Sequence, residues 1–192
     1  MIKTENFDKI EVKSSKEIRN WLLKNHDNPA SVWLVTYKKS ESDNYISSSD
    51  VLDELLCFGW IDGIRRKLDD RRTMQLISQR KAEHWAKTYK ERVQKLIDEG
   101  KMHQSGFNSI ERAKNSGLWN FMDDVDALAV PADLSMALNK IKGAADFFKK
   151  INPSSKRFVL RWLKLAKTEK TRDKRIHQLV DLSAKGEKLS GS

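Results

Sequence analysis

The chain has 192 residues, of which 39% are hydrophobic and 33% charged, with a formal net charge of +10. Charges of both signs, together with six Trp and seven Phe to bury, exclude a disordered polyelectrolyte. They predict one ordinary folded domain or two small lobes. The single cysteine, Cys57, rules out an intramolecular disulfide and a cysteine metal cluster.

No segment approaches the roughly 20 consecutive apolar residues that a membrane span needs, and MIKTENFDKIEVKSS carries no apolar core of signal-peptide length. The expectation is a cytoplasmic protein without a membrane span. The excess positive charge is uneven. Residues 152–192 hold eleven Lys and Arg against four Asp and Glu, and residues 63–81 hold seven against two. Residues 118–140, by contrast, hold four Asp against one Lys. Two basic regions and one acidic region favour anionic partners or serve as a solvated surface.

In chain order, Ser14-Ser15-Lys16-Glu17 forms a capping box, and Ile18, Trp21 and Leu22 follow on one helical face. Asn28-Pro29 ends that helix, and the alternating β-branched and aromatic residues Val32 to Tyr37 predict a half-buried strand. After the polar loop Lys39 to Asn44, Ser47 to Asp50 starts a helix carrying Val51, Leu52, Leu55 and Leu56 that ends near Gly59. A Gly-Trp-Ile-Asp-Gly turn over 59–63 leads into two strands, Ile64 to Lys67 and Thr73 to Ile77. They are joined across Leu68-Asp69-Asp70-Arg71, where Asp side chains bond to nearby backbone N–H groups.

From His84 onward the pattern is helical. A stripe of Trp85, Tyr89, Val93, Leu96 and Ile97 ends at Gly100, and Phe107, Ile110 and Ala113 define a shorter helix. Asp123-Asp124-Val125-Asp126 reads as an exposed acidic connection and the boundary between lobes. Beyond it lie stripes of Leu134, Ala137, Leu138 and Ile141, and of Ala144, Phe147, Phe148 and Ile151. Asn152-Pro153 then starts a helix bearing Phe158, Trp162, Leu165 and Ala166. A last helix with Ile176, Leu179 and Val180 stops at Gly186. The expected fold class is α+β, with a small antiparallel sheet and helices in an N-terminal lobe, residues 1–122, and an all-helical C-terminal lobe, residues 123–192.

Several motifs resemble the YdeI/OmpD-associated family, also called OmdA or bacteriocin-protection proteins. They are Cys57-Phe58-Gly59-Trp60-Ile61-Asp62-Gly63, the run Arg92 to Met102 with Gly106, and Val130-Pro131-x-Asp133-Leu134. Ala144-Ala145-x-Phe147-Phe148 and the basic run Lys167 to Ile176 complete the set, so the resemblance covers most of the chain. It implies a link to envelope stress and to resistance against antimicrobial peptides or bacteriocins, and it supplies no reaction, cofactor or catalytic residue. Where such proteins carry a Thr-Pro-Arg-Lys turn and a Ser-rich cap, this chain has Ser78-Gln79-Arg80-Lys81 and Ala82-Glu83-His84.

Two constellations stand out. Trp60, Asp62, Arg66, Arg72, Arg80 and Trp85 form a candidate pocket in which an Asp orients guanidinium forks toward a small anionic ligand, or an aromatic one stacks on Trp85. The alternative is a structural ion pair around a core tryptophan. Because side chains alternate along a strand, only one of Arg65 and Arg66 shares a face with Asp62.

Arg157, Arg161 and Lys164 recur along one helix, with Arg172 and Arg175 on the next, a surface suited to anions or to weak, non-specific nucleic acid. Phe158 and Trp162 are expected on the apolar stripe rather than on a stacking platform. His26, His84, His103 and His177 have no metal-ligand spacing, Cys57 reads as a buried inert thiol, and no catalytic motif or cofactor loop is present. The reading is a non-catalytic cytosolic protein that binds a small anionic or aromatic ligand, with nucleic-acid association as the alternative.

Overall fold

The computed structural model describes residues 6–191; residues 1–5, where the N-terminal segment read for a signal-peptide core begins, lie outside the described residues. The chain divides between Asn120 and Phe121 into two compact units. Four strands lie in the first, and the second is helical; nine α-helices occur among the described residues.

The first unit runs β1 (Lys9–Glu11), α1 (Ser15–Asn25), β2 (Val32–Tyr37), a single 3-10 turn at Ser42–Asn44, and α2 (Ser48–Cys57). It continues through β3 (Trp60–Lys67), β4 (Arg72–Gln79), α3 (Lys87–Asp98) and α4 (Gln104–Asn115). The helix starts follow the side-chain caps. Ser14 accepts from the Glu17 N–H while Glu17 reaches back to the Lys13 N–H, and Ser47 accepts from the Asp50 N–H.

The sheet order is β1-β2-β4-β3. It is mixed rather than purely antiparallel, because β1 pairs parallel to β2 with α1 as the connecting crossover. A three-residue strand with one apolar side chain gives no periodic signal, which is why β1 escapes sequence reading. The hairpin β3–β4 closes where expected, with Asp69 accepting from the N–H groups of Arg71 and Arg72.

Four further expectations need correction. Val32 to Thr36 are all buried, so β2 is covered on both faces rather than one. Val32 and Leu34 face the helices with Ile77, whereas Trp33, on the other face, lies under the Arg66 guanidinium at 5.4 Å from its ring centre. The Gly-Trp-Ile-Asp-Gly segment is not a turn. Only Gly59 takes the left-handed conformation, with φ +72, and Trp60 already begins β3 because its backbone continues the ladder with Gln79. Helix α3 starts at Lys87, so Trp85 precedes it in an extended connection. The acidic segment is the short helix α5 (Asp123–Asp126), whose Val125 is buried.

The core of the first unit gathers Ile18 and Leu22 of α1, Leu55 and Leu56 of α2, and Trp60, which is wholly buried. The Trp60 indole N–H donates to the His26 carbonyl at 3.0 Å, and its ring meets Trp21 edge to face at 5.5 Å.

Helix α4 seats against the junction of α2 and β3 by backbone approach. A Cβ on Gly106 would lie 2.3 Å from the Cys57 carbonyl oxygen, and one on Gly59 would lie 2.9 Å from the Ser105 carbonyl oxygen. The His103 N–H donates to the Cys57 carbonyl at 3.0 Å, and the Ser105 hydroxyl donates to the Phe58 carbonyl at 3.0 Å.

The second unit comprises α5, α6 (Ala132–Asn139), α7 (Ala144–Lys150), α8 (Pro153–Lys164) and α9 (Glu169–Ala184). Asn152 and Thr168 cap α8 and α9 by accepting from Ser155 and Thr171 N–H groups. Leu134, Leu138, Phe148, Leu160, Leu163 and Leu179 form its core. The buried stripe of α8 is Val159, Leu160 and Leu163, so Phe158 is 41% exposed rather than apolar-facing. Several residues of α8 are apolar on neighbouring positions, and periodicity alone does not choose among the resulting faces.

Substituting Gly106→Ala overpacks the α4 contact. It is expected to cost about 2–3 kcal/mol, seen as a lower urea midpoint with unchanged denaturant slope; a midpoint equal to that of the unsubstituted chain contradicts the close approach.

Candidate functional site

The end of β4 and one face of α4 enclose a groove of about 610 Å³, lined by Pro29, Ser31, Ser78 to Ala82, Ser109, Arg112, Ala113 and Ser116. The two walls have separate origins. Backbone contact at Gly106 fixes α4, so that Ser105, Ser109, Arg112 and Ser116 recur along one side of it at helical spacing. The Arg80 N–H donates to the Gly59 carbonyl at 2.9 Å, which holds the last residues of β4 opposite that side.

Arg80 is the unusual member of the groove. It is 6% exposed, and its guanidinium lies 4.1 Å from the Trp85 ring centre and 5.4 Å from that of Tyr89. One Nη2 hydrogen bond goes to the His84 carbonyl at 3.0 Å, whereas Nε and Nη1 are buried with no hydrogen-bond partner among the described residues. Burial depresses its pKa below the ordinary arginine value, opposed by the charges of Glu83 and Asp62 and by Tyr89. A buried cation with unmet donors is costly.

The other groove cations are also uncompensated. Neither Lys81 nor Arg112 forms an ion pair among the described residues. Four guanidinium groups elsewhere in the unit are matched to carboxylates, Arg19 with Glu54, Arg71 with Glu41, Arg72 with Asp69 and Glu11, and Arg92 with Asp53, whereas Arg65 binds the Gln75 amide and Arg66 lies over Trp33. Arg80, Lys81 and Arg112 thus bring three cations without a carboxylate partner among the described residues to one concave place.

The six residues expected to form a pocket do not converge. Arg80 and Trp85 come together, and Asp62 is close enough to act electrostatically on Arg80 and Tyr89. Trp60 is interior. Arg72 sits at the far end of the hairpin in an ion pair with Glu11, and Arg66 lies on the opposite sheet face over Trp33.

A bulge between Asp62 and Arg65 carries Arg65, not Arg66, onto the Asp62 face. There Gln75 bridges the two, donating to Asp62 at 2.8 Å and accepting from Arg65. Gly63 within a strand is the sequence sign of such a bulge. Gln79, Lys81, Ser109, Arg112 and Ser116 were not singled out by sequence reading, because the groove depends on a contact between segments some fifty residues apart. The serines along α4 were its only trace.

Two arrangements that resemble catalytic groups are structural. The Cys57 thiol is buried and its pKa pushed up to about 11, chiefly by burial and then by the Glu54 charge. His103 Nδ1 lies 2.9 Å from the Ser105 hydroxyl, but it accepts from the Ser105 N–H as a helix cap and the hydroxyl donates to Phe58. This Ser–His pair therefore closes a helix end.

In the second unit the basic surface is largely neutralised from within. Lys164 pairs with Asp124 at 2.5 Å, Arg157 meets Asp126 at 3.7 Å, and Arg172 holds Asp133 in a two-point fork at 2.6 and 2.9 Å. Arg175 donates to the Trp162 carbonyl and stacks on its ring at 4.7 Å, and Arg161 lies exposed beside them.

The Arg172 hydrogen bonds hold the Asp133 carboxyl below the usual carboxylate range, against the opposing effect of burial. A depressed folded-state pKa stabilises above the unfolded value and loses that contribution as pH falls through the folded value. Asp133→Asn is therefore expected to lower the thermal midpoint at about pH 7, with the difference shrinking as pH falls below the ordinary carboxylate range. A difference that persists unchanged in acid contradicts the pairing.

A family model described as a domain of unknown function (DUF8412) matches residues 10–109, which takes in the sheet, α1 to α3 and the first half of α4. A second, described as bacteriocin-protection, YdeI or OmpD-associated (OmdA), matches residues 127–186, a narrower span than the motif resemblance implied. The Gly-Trp-Ile-Asp-Gly segment falls in the first match, not the second. No curated protein and no solved structure matched the chain. The chain belongs to the family defined by the domain of unknown function DUF8412, and its residues 127–186 match the model of the bacteriocin-protection, YdeI or OmpD-associated (OmdA) family.

Proposed function

We propose that the protein is a non-catalytic binding protein whose first unit takes a small anionic ligand in the groove between β4 and α4. The observation that carries this reading is the coincidence of unmatched cations and a concave surface. Lys81 and Arg112 line the same groove of about 610 Å³ as Arg80, whose Nε and Nη1 hydrogens are buried and unmet. That volume lies in the range of small-molecule sites, roughly 300–1,000 Å³. An anion there supplies the carboxylate-like partner that Arg19, Arg71, Arg72 and Arg92 already have.

The OmdA match supports a wider association with envelope stress and resistance to antimicrobial peptides or bacteriocins; the location proposed for that role is the cytoplasm. Non-specific nucleic-acid association through α8 and α9 receives less support, since Asp124, Asp126 and Asp133 engage Lys164, Arg157 and Arg172.

Thermal melting of the full chain against phosphate, citrate and small carboxylates, with chloride at equal ionic strength as reference, tests the reading. At least one anion is expected to raise the midpoint in a concentration-dependent way, and Arg112→Ala, an exposed substitution, is expected to remove most of the shift. No shift with any anion, or a shift undiminished in Arg112→Ala, overturns it.

A further inference from the structure

The groove does not end at Arg112. Gln79 and Arg112 also line a second recess of about 210 Å³, together with His26, Asp27, Phe58, Gly59, Ser105 and Asn108. The two hollows share these two side chains as a common wall on the first unit.

Their chemistry differs from end to end. The larger hollow holds Arg80, Lys81 and Arg112 among the hydroxyls of Ser31, Ser78 and Ser116. No aromatic side chain lines it, and Trp85 and Trp60 are 2% and 0% exposed. A planar aromatic ligand therefore finds no ring to stack on there, while an oxyanion finds forked donors.

The smaller recess sets a carboxylate beside the shared Arg112. Its exposed Asp27 carboxylate makes no hydrogen bond or ion pair among the described residues. Asn108 spends its oxygen on the Gln104 amide at 2.9 Å, which leaves its own N–H groups for a ligand. Gln79 donates to the His26 carbonyl at 3.0 Å, so its oxygen is the part left to accept. A second anionic group is repelled by Asp27, whereas a hydroxyl both donates to that carboxylate and accepts from Asn108.

Building on the anion-groove reading, we infer that the ligand is a phosphorylated sugar or polyol. Its phosphate is held by Arg112 and Lys81 in the larger hollow, and its hydroxyls are read by Asp27 and Asn108 in the smaller one. The two ends make separable contributions. The phosphate supplies charge-assisted binding to the basic end, and the hydroxyls supply discrimination through directional hydrogen bonds that a bare oxyanion is too short to make.

Isothermal titration of the full chain with inorganic phosphate, with glucose, and with glucose phosphorylated on its terminal carbon tests the assignment. The hexose phosphate is expected to bind about tenfold tighter than phosphate or better, and glucose alone is expected to give no measurable heat. Arg112→Ala removes binding of both phosphate and hexose phosphate. Asp27→Asn and Asn108→Ala, both on exposed residues, each weaken the hexose phosphate several-fold while phosphate binds as before or, for Asp27→Asn, more tightly.

If the hexose phosphate binds no tighter than phosphate, or is indifferent to Asp27→Asn and Asn108→Ala, the ligand class is wrong and the anion groove stands. If neither phosphate nor hexose phosphate binds, the ligand class is overturned, and the anion panel above decides whether the groove reading goes with it.

Discussion

The contact of Gly106 with the Cys57 carbonyl is the constraint from which the first unit's functional surface follows. A helix normally stands off its neighbour by the length of its side chains, with axes about 8–10 Å apart. Here Gly106 and Gly59 let backbone meet backbone, and the Ser105 hydroxyl and His103 N–H are used up on the carbonyls of Phe58 and Cys57. With its first turn pinned, α4 has its direction set. Ser109, Arg112 and Ser116, one and more turns further on, fall beside the last residues of β4. The groove is the space left where a helix held tightly at one end runs along a strand end that stops at Gln79.

The same constraint accounts for the charge pattern. Five carboxylates of the first unit meet arginines, Glu11, Glu41, Asp53, Glu54 and Asp69. Asp62, the acidic residue nearest Arg80 in the sheet, is engaged by Gln75. Neither Lys81 nor Arg112 forms an ion pair among the described residues, and the Arg80 guanidinium gets aromatic faces and one carbonyl in place of a carboxylate. Aromatic faces stabilise the Arg80 cation without satisfying its N–H donors. The second unit behaves oppositely, because its acidic helix α5 and Asp133 answer its basic helices from within.

Much of the fold was legible in the sequence because its signals are local. Ser14, Ser47 and Asn152 announce helix starts through hydrogen bonds spanning three residues, and Asp69 specifies its turn in the same way. The periodicities of Leu55 and Leu56 and of Ile176, Leu179 and Val180 mark buried faces directly. What was misread depends on partners distant in sequence. The parallel strand β1 has meaning only beside β2, the bulge that exchanges Arg66 for Arg65 only beside β4, and Trp85 leaves the helical stripe because its own N–H is drawn to the Leu118 carbonyl.

The candidate site was legible in part for the same reason. Arg80 and Trp85 were visible as a cation and an aromatic close in the chain, and their stacking follows. Trp60 and Arg72 drew notice by residue type and proved to serve the core and the hairpin end. Arg112, which completes the groove, carries no local signal at all. Soaking crystals of the full chain in tungstate, a phosphate-like oxyanion with strong anomalous scattering, tests the central claim most directly. The account predicts a peak within hydrogen-bonding reach of the Arg112 guanidinium and the Lys81 amine. Anomalous peaks confined to other surfaces, such as the cations of α8 and α9, contradict it.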